Sequence, residues 1–441
     1  MPLNLKSMAN TVFINFRGGI ISPRKLYDIL NAAQKIKVPY IRFGLRQQLL
    51  ADLESYSIPV FTAELERLGV ACEVDSSECP NIISSFPAEE IFIHNTWLTA
   101  AVYKSIFDAI DYAPAIKVNI CDCNQSFTPI LTGNINWVAN PQSVGYWHLF
   151  IRFPKTNIIY EWEQLCHTNN IPGVCKSIEE IITNNPTAFV DNPHAEGSRL
   201  FSTLSTKNLD IKPAEKAAEL PPFNLPYYEG LNRYGNKYWL GIYQRDELFS
   251  VAFLKEVCQL CLDTQPVQLC CTAWKTIMIK GIEEKDKERW NLLLEKFQIN
   301  MRHAANELNF QVEDNSAEGL ALKNYLVKNL SIDDTRTFGI CIGIKTRKKS
   351  EIFSSILVRK RYVLDFLGIK LFKVYDILCA KDFNPNERTE EIFSSNNPKF
   401  VLAEQVRRSV IKYYKYRAAI VKKFATGGMP LAPSGKKKTN E

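Results

Sequence analysis

Two stretches of the chain repeat one pattern, and an internal repeat restricts the fold more than any composition can. In the first stretch, Thr11-Val12-Phe13-Ile14-Asn15-Phe16 reads as a strand, and Ser22-Pro23 supplies an N-cap and a first-turn proline. Leu26, Ile29, Leu30 and Ala33 then fall on one helical stripe. Tyr40 to Phe43, Leu49 to Ala51, a helix over Phe61 to Leu68 and a strand at Val70 to Val74 complete a β-α-β-β-α-β unit. The second stretch opens on Tyr238 to Ile242 and a helix carrying Leu248, Val251, Leu254 and Val257. Strands at Val267 to Cys271 and Thr276 to Lys280 follow, then a helix across Trp290, Leu293, Leu294 and Phe297, with Phe310 to Val312 as the closing strand. Two split β-α-β units predict a pseudo-twofold pair, because each leaves a sheet edge that needs cover.

The repeat divides the chain into half-domains at 10–75 and 236–312, each followed by a mixed α/β stretch at 80–190 and 313–400. Between the halves, 191–228 holds Pro193, Pro213, Pro221, Pro222 and Pro226, and that density predicts an extended linker. Residues 402–423 predict an amphipathic helix with Val406, Val410, Ile411 and Tyr414 inward, and 424–441 a disordered tail. The net charge of +7 lies mostly in 402–441, where ten Lys+Arg face two Glu. Basic charge on one helix and a tail reads as a solvated face, so no nucleic-acid partner is expected. No run of about 18 apolar residues exists, so no membrane span and no membrane partner are expected. Met1 to Asn10 has no apolar stretch resembling a secretory signal, which points to the cytoplasm and to free thiols among the twelve cysteines.

The segment Ile41-Arg42-Phe43-Gly44-Leu45-Arg46-Gln47-Gln48-Leu49 resembles the strand–turn–strand of the siroheme-dependent nitrite and sulfite reductases. Further segments fit in the same order. They are His94-Asn95-Thr96, Pro114-Ala115-Ile116-Lys117, and the run from Gln125 through Gly133-Asn134-Ile135-Asn136-Trp137-Val138-Ala139. Thr272-Ala273-Trp274-Lys275 is similar to a second-half version of the first turn. The resemblance implies an α/β (α+β) fold of duplicated ferredoxin-like half-domains, each followed by a siroheme-reductase-like α/β domain. The chain looks most like bacterial members followed by a rubredoxin module, although no paired CxxC knuckles are present here. In the family, cations from these places converge on an anion at siroheme iron and on the macrocycle's carboxylates. Reduction of such an anion needs fixed positive charge and proton donors. The resemblance therefore nominates Arg42, Arg46, Gln47, His94, Lys117 and Gln125 as anion- or tetrapyrrole-binding residues. Arg46, His94 and Lys117 are expected to converge, with the other three on the rim. His94 stands for an arginine and Ala115 for a lysine. The competing expectation is that Arg46 pairs with Asp52 and Lys117 faces solvent.

A four-iron cluster needs four thiolates, which the family supplies in its second half as C-x5-C and C-x3-C. Here the first pair corresponds to Val312-Glu313-Asp314-Asn315-Ser316, and the second to Cys341-Ile342-Gly343-Ile344-Lys345. One thiol, Cys341, cannot hold a cubane, so siroheme or a related tetrapyrrole is compatible with the resemblance and a 4Fe-4S cluster is not expected. Cys121 and Cys123 share a strand face, Cys258 and Cys261 a helix, and without further pairs they read as core thiols. His94, His148, His167, His194 and His303 form no metal-helix spacing, and no P-loop or nucleophile motif is present.

Two functions stay open. One is an accessory or degenerate relative, linked to nitrite or sulfite assimilation, that binds an anion, a tetrapyrrole or a reductase partner. The other is an active, divergent oxidoreductase that takes electrons from a partner protein and reduces nitrite or sulfite.

Overall fold

The structure is a computed structural model describing residues 10–76, 78–94, 96–265, 267–347, 352–366 and 369–426. The chain divides into two compact units after Leu308.

In the first unit, β1 (Asn10–Asn15), β2 (Ile20–Ile21), α1 (Pro23–Lys35), β3 (Tyr40–Phe43), β4 (Gln48–Leu53), α2 (Ile58–Arg67) and β5 (Glu73–Val74) form the first repeat. Ser22 Oγ accepts from Lys25 N at 3.4 Å and Pro23 takes the first helical position, so α1 starts where the residues ask. A layer follows of β6 (Ile83–Ser84), α3 (Ala100–Ala109), β7 (Val118–Asp122), β8 (Ile135–Ala139), β9 (Tyr146–Ile151), β10 (Tyr160–Glu161), β11 (Gln164–His167) and α4 (Ile171–Asn184). The proline-rich segment is not uniformly extended. After the short α5 (Pro186–Phe189) it carries α6 (Gly197–Thr203) and the edge strand β12 (Ile211–Pro213).

The second repeat comprises β13 (Gly230–Tyr234), β14 (Lys237–Ile242), β15 (Phe249–Ser250), α7 (Val251–Asp263), β16 (Gln268–Cys271), β17 (Ile277–Ile282), α8 (Lys287–Lys296) and the short α9 (Ala305–Leu308). Its sheet runs β13-β14-β17-β16-β2, and the first repeat's sheet runs β15-β3-β4-β1-β5. The halves thus match in their three central strands and lend each other one short strand. β2 pairs antiparallel with β16, and β15 with β3. Helices α1 and α7 lie together, with Lys255 Nζ donating to Gln34 Oε1 at 2.6 Å, and one hydrophobic core joins Leu26, Leu30 and Phe43 to Phe249, Leu254 and Val257. The crossing is tight at Gly19, whose φ is +76°. A Cβ there would lie 2.5 Å from Cys271 O, which leaves room for glycine alone.

One expected strand is misplaced. Phe310–Val312 does not close the second repeat; it pairs in parallel with another strand inside the second unit. The edge is closed from upstream by β13, which forms a hairpin with β14 across Gly235-Asn236, with Gly235 at φ +51°.

The second unit holds β18 (Phe310–Val312), α10 (Ala317–Ile332), β19 (Ile342–Lys345), β20 (Ile356–Phe366), β21 (Ile369–Ala380), β22 (Glu390–Asn397) and α11 (Lys399–Thr426). Strands β18, β19 and β20 are parallel, and β21 and β22 return antiparallel. This repeats the first layer, where β6, β7 and β8 are parallel and β9 and β11 antiparallel. Duplication therefore extends to the α/β layers. Helix α11 runs to Thr426, and 427–441, most of the expected tail, lie outside the described residues. Its buried apolar side chains, among the described residues, are Leu402, Val406, Val410 and Tyr413, whereas Ile411 is exposed and Tyr414 only partly covered.

Two of this unit's carboxylates are each held by a pair of arginines. Asp376 is buried and accepts from Arg361 Nε at 2.5 Å, Arg359 Nη2 at 3.1 Å and Asn396 N at 3.1 Å. Burial alone would raise its carboxyl, but these donors hold it below the ordinary value. Arg407 and Arg408 hold the partly exposed Glu404 at about 2. With both folded values depressed, their stabilisation is complete above the ordinary carboxylate range and is lost as pH falls through the lower values. The unit should lose stability as pH falls from 4.5 toward about 2. Urea titrations followed by circular dichroism should give Asp376→Asn a shallower pH slope than the parent, and an unchanged slope would sink the assignment.

Candidate functional site

Strands β3 and β4 meet in the turn Gly44–Gln47, where Gly44 N donates to Gln48 O and Gln47 N to Gly44 O, with Gln47 at φ +54°. In the second repeat Thr272 N donates to Thr276 O and Lys275 N to Thr272 O, with Lys275 at φ +59°. The turns are equivalent, so Arg46 corresponds to Trp274 and Gln47 to Lys275.

Arg46 reaches the protein's own backbone. Its Nε and Nη2 donate to Asn81 O at 3.0 and 2.6 Å, and Nη2 also to Val118 O at 3.2 Å. Gln47 is buried, not on a rim, and clasps Ser84 through Nε2 to its O and Oε1 from its N, at 2.9 and 2.8 Å. Gln125 is buried as well. Its Oε1 accepts from Phe127 N and Thr128 N, and Nε2 donates to Thr128 O at 2.9 Å. Thr128 Oγ1 donates to Ser84 O at 3.3 Å, joining this loop to Gln47. Arg46, Gln47 and Gln125 are thus brought into one connected network around β6 and β7. Lys117 stands at the entry of β7, with its N donating to Asn134 Oδ1 at 3.1 Å and its O accepting from Asn134 N and Ile135 N. Arg42 is directed elsewhere: it binds Asp52 through Nε and Nη2 at 2.9 and 2.5 Å, so Asp52 serves Arg42 and not Arg46. His94 is exposed, and among the described residues no hydrogen bond joins it to the network.

In the duplicated layers Cys341 occupies the position in the second unit that Lys117 occupies in the first. Cys341 O accepts from Ser355 N and Ile356 N at the entry of β19, as Lys117 O does from Asn134 N and Ile135 N at the entry of β7. Its thiol is fully buried, near Phe353 O and Ser355 Oγ at 3.6 and 3.7 Å, and burial pushes it up to about 12. The segment 312–316 is also committed. Glu313 is buried and accepts from Thr346 N and Arg347 N at 2.9 and 3.1 Å, and Ser316 Oγ caps α10 through Gly319 N at 3.0 Å.

Two histidines are locked between a carboxylate and an amide. His148 Nδ1 lies 3.1 Å from Glu161 Oε1, and its Nε2 2.9 Å from Asn140 Nδ2. Asn140 Oδ1 accepts from Gln142 N and Ser143 N, which turns the amide's donor toward the ring and leaves Nε2 as acceptor. His303 is held likewise, by Glu229 Oε1 at 2.5 Å and Asn300 Nδ2 at 3.2 Å. Among the described residues no group of three or more His, Cys, Asp or Glu is arranged to hold a metal ion.

Sequence reading missed two buried ion pairs of the second repeat's lysines. Lys275 Nζ meets Glu247 Oε2 at 2.7 Å, and Lys280 Nζ meets Glu89 Oε2 at 2.9 Å. The signal was there for Lys280: a lysine inside the apolar run Ile277 to Ile282 has to find a partner.

Paired split β-α-β sheets with exchanged strands, and in each unit a layer of three parallel and two antiparallel strands, define a duplicated α/β fold with ferredoxin-like half-domains. No helix among the described residues is long and apolar enough to cross a membrane. Among solved structures, the chain is similar to that of the Mycobacterium tuberculosis NirA protein, with a TM-score of 0.69, 12% identity, and coverage of 93% of this chain and 83% of that one. At that identity the likeness is one of fold. No protein-family model matches the chain, and no curated protein matches it in sequence.

Proposed function

We propose that the chain is an accessory or degenerate member of the nitrite/sulfite reductase-like group, which binds a small oxyanion or a tetrapyrrole and carries no four-iron cluster. The cysteine count of the second unit carries this reading. Cys341 stands where the resemblance puts a cluster ligand. Only Cys379 accompanies it in 309–441, so four thiolates are not at hand in that unit. These residues do not fit the cluster, and no electron-transfer step is derived through it. For nitrite, sulfite or a siroheme carboxylate, Lys117 and the exposed His94 are the proposed contacts. Arg46, Gln47 and Gln125 support the surrounding backbone, and Arg42 is withdrawn by Asp52.

The test is chemical analysis of protein made alongside siroheme synthesis and purified without oxygen. Iron and acid-labile sulfide should fall well under the four per chain that a cubane requires. Four of each, with a cubane signal on reduction, would instead favour an active reductase served by an electron-donating partner.

A further inference from the structure

We propose that His148 is an acid-operated latch: on taking up a proton at Nε2 it lets go of the turn between β8 and β9 and tightens its hold on Glu161. That turn, 140–145, hangs on one side chain. Asn140 Oδ1 accepts from Gln142 N at 2.8 Å and Ser143 N at 2.9 Å, while Nδ2 of the same amide donates to His148 Nε2 at 2.9 Å. Asn140 O accepts from Trp97 Nε1 at 2.8 Å, which ties the approach to α3 to the same residue. The contact is shut off from solvent, Asn140 being 6% exposed and His148 3%.

A neutral imidazole satisfies this arrangement and an imidazolium does not. A proton on Nε2 sets an N–H donor against the Asn140 Nδ2 donor at hydrogen-bond distance. Turning the amide over offers Oδ1 to the ring but sets Nδ2 against two backbone N–H groups, so the turn loses its anchor either way. At the other ring nitrogen the effect is opposite. Nδ1 faces Glu161 Oε1 at 3.1 Å, and a charged ring strengthens that bond. Glu161 Oε1 also accepts from Ala218 N at 2.9 Å, and Ala218 and Leu220 pack on the core of Cys121, Val138 and Phe150. Acid therefore shifts the hold from the turn to the 218–220 segment and leaves the layer folded.

The other titratable groups around the ring do not reproduce this. Val138 lies directly across from His148, with Cys121 beyond it and Cys123 on the same face, and burial raises both thiols, so they stay uncharged. Glu215, Lys216 and Glu219 of the neighbouring segment are exposed. From β11, His167 packs on the Tyr146 ring and its Nδ1 accepts from Asn169 N at 3.3 Å, while Asp210 and Lys212 hold Tyr146 from its hydroxyl and its ring face. His167 is thus a second imidazole beside the turn, and variants separate the two.

Amide hydrogen exchange of the full chain should be followed by mass spectrometry at about pH 7.5 and about pH 5.5, on either side of the ordinary histidine range, with each rate corrected for its intrinsic pH dependence. Peptides covering 140–146 should lose protection by about tenfold or more in acid, the worth of about one hydrogen bond, and those covering 214–220 should lose none. His148→Gln keeps an acceptor for Asn140 and a donor for Glu161 but takes up no proton, so its turn should be equally protected at both pH values. Asn140→Asp offers one oxygen to a charged ring and the other to the turn, so its turn should stay protected in acid. Three results would overturn the proposal. They are a parent turn whose protection does not change, an equal acid response in folded His148→Gln, which would move the cause to His167, and equal losses in both segments, which would mean that the whole layer opens.

Discussion

A Lys280→Met protein is expected to lose about 3–5 kcal/mol of stability, the usual cost of removing one partner from a buried ion pair. Lys280 sits on β17, a strand buried along its whole length, and its side chain is 1% exposed. Its ammonium has three donors and three acceptors: Phe86 O at 2.9 Å, Glu89 O at 3.1 Å and Glu89 Oε2 at 2.9 Å. It also lies 4.3 Å from the centre of the Phe86 ring. Methionine fills similar volume, so the loss would come from the Glu89 carboxylate left without its cation, with, among the described residues, only Ala100 N at 3.2 Å still donating to it, rather than from a cavity. Lys280→Met/Glu89→Gln should recover part of the loss, because the doubly altered site no longer buries an unpaired charge. Urea unfolding at neutral pH reads both. A loss under about 1 kcal/mol in the single variant would mean that water or another group reaches Glu89, and would reject the account.

The repeat was legible because its helices and longer strands carry their own periodicity. Pro23 after Ser22, the stripe of Leu26, Ile29 and Leu30, and the run from Tyr238 to Ile242 need no tertiary information. The exchanged strands were not legible: β2 and β15 are two residues each, too short to show alternation, and only the partner edge makes them strands. Phe310–Val312 is apolar enough for any sheet, and its residues cannot say which one. The true edge strand did leave a sign, the Gly235-Asn236 turn between two strand-like runs, overlooked beside the proline-rich segment. For the site, sequence gave residue type but not direction. Arg42 and Asp52 lie on neighbouring strands whose register pairs Arg42 with Leu50, which makes Asp52 a diagonal neighbour on the same face. Arg46 and Gln47 take their partners 35 or more residues away, beyond what local pattern can reveal.

Arg46→Ala is the sharpest separation of a structural arginine from an anion-binding one, with an expected loss of about 2–4 kcal/mol. The guanidinium reaches two segments, 81 and 118, and the contact is reciprocated: Asn81 Nδ2 donates to Arg46 O at 2.8 Å, Gln47 O at 2.7 Å and Phe16 O at 2.8 Å. Removing it would leave the Asn81 and Val118 carbonyls short of a charged donor and loosen the turn on which Gln47 sits. Lysine should not rescue the loss, since a single ammonium cannot reproduce the fork that meets Asn81 O through both Nε and Nη2. An arginine that served only a bound anion would behave in the opposite way. Its removal would change stability by no more than about 0.5 kcal/mol and lower oxyanion affinity by about tenfold or more. Lys117→Ala is the natural companion, because its proposed role is contact with the anion and its expected signature is that second pattern. Urea unfolding and sulfite or nitrite calorimetry on both variants distinguish the two. If Arg46→Ala keeps its full stability and loses only binding, the clasp is not what holds the turn, and Arg46 belongs among the anion contacts.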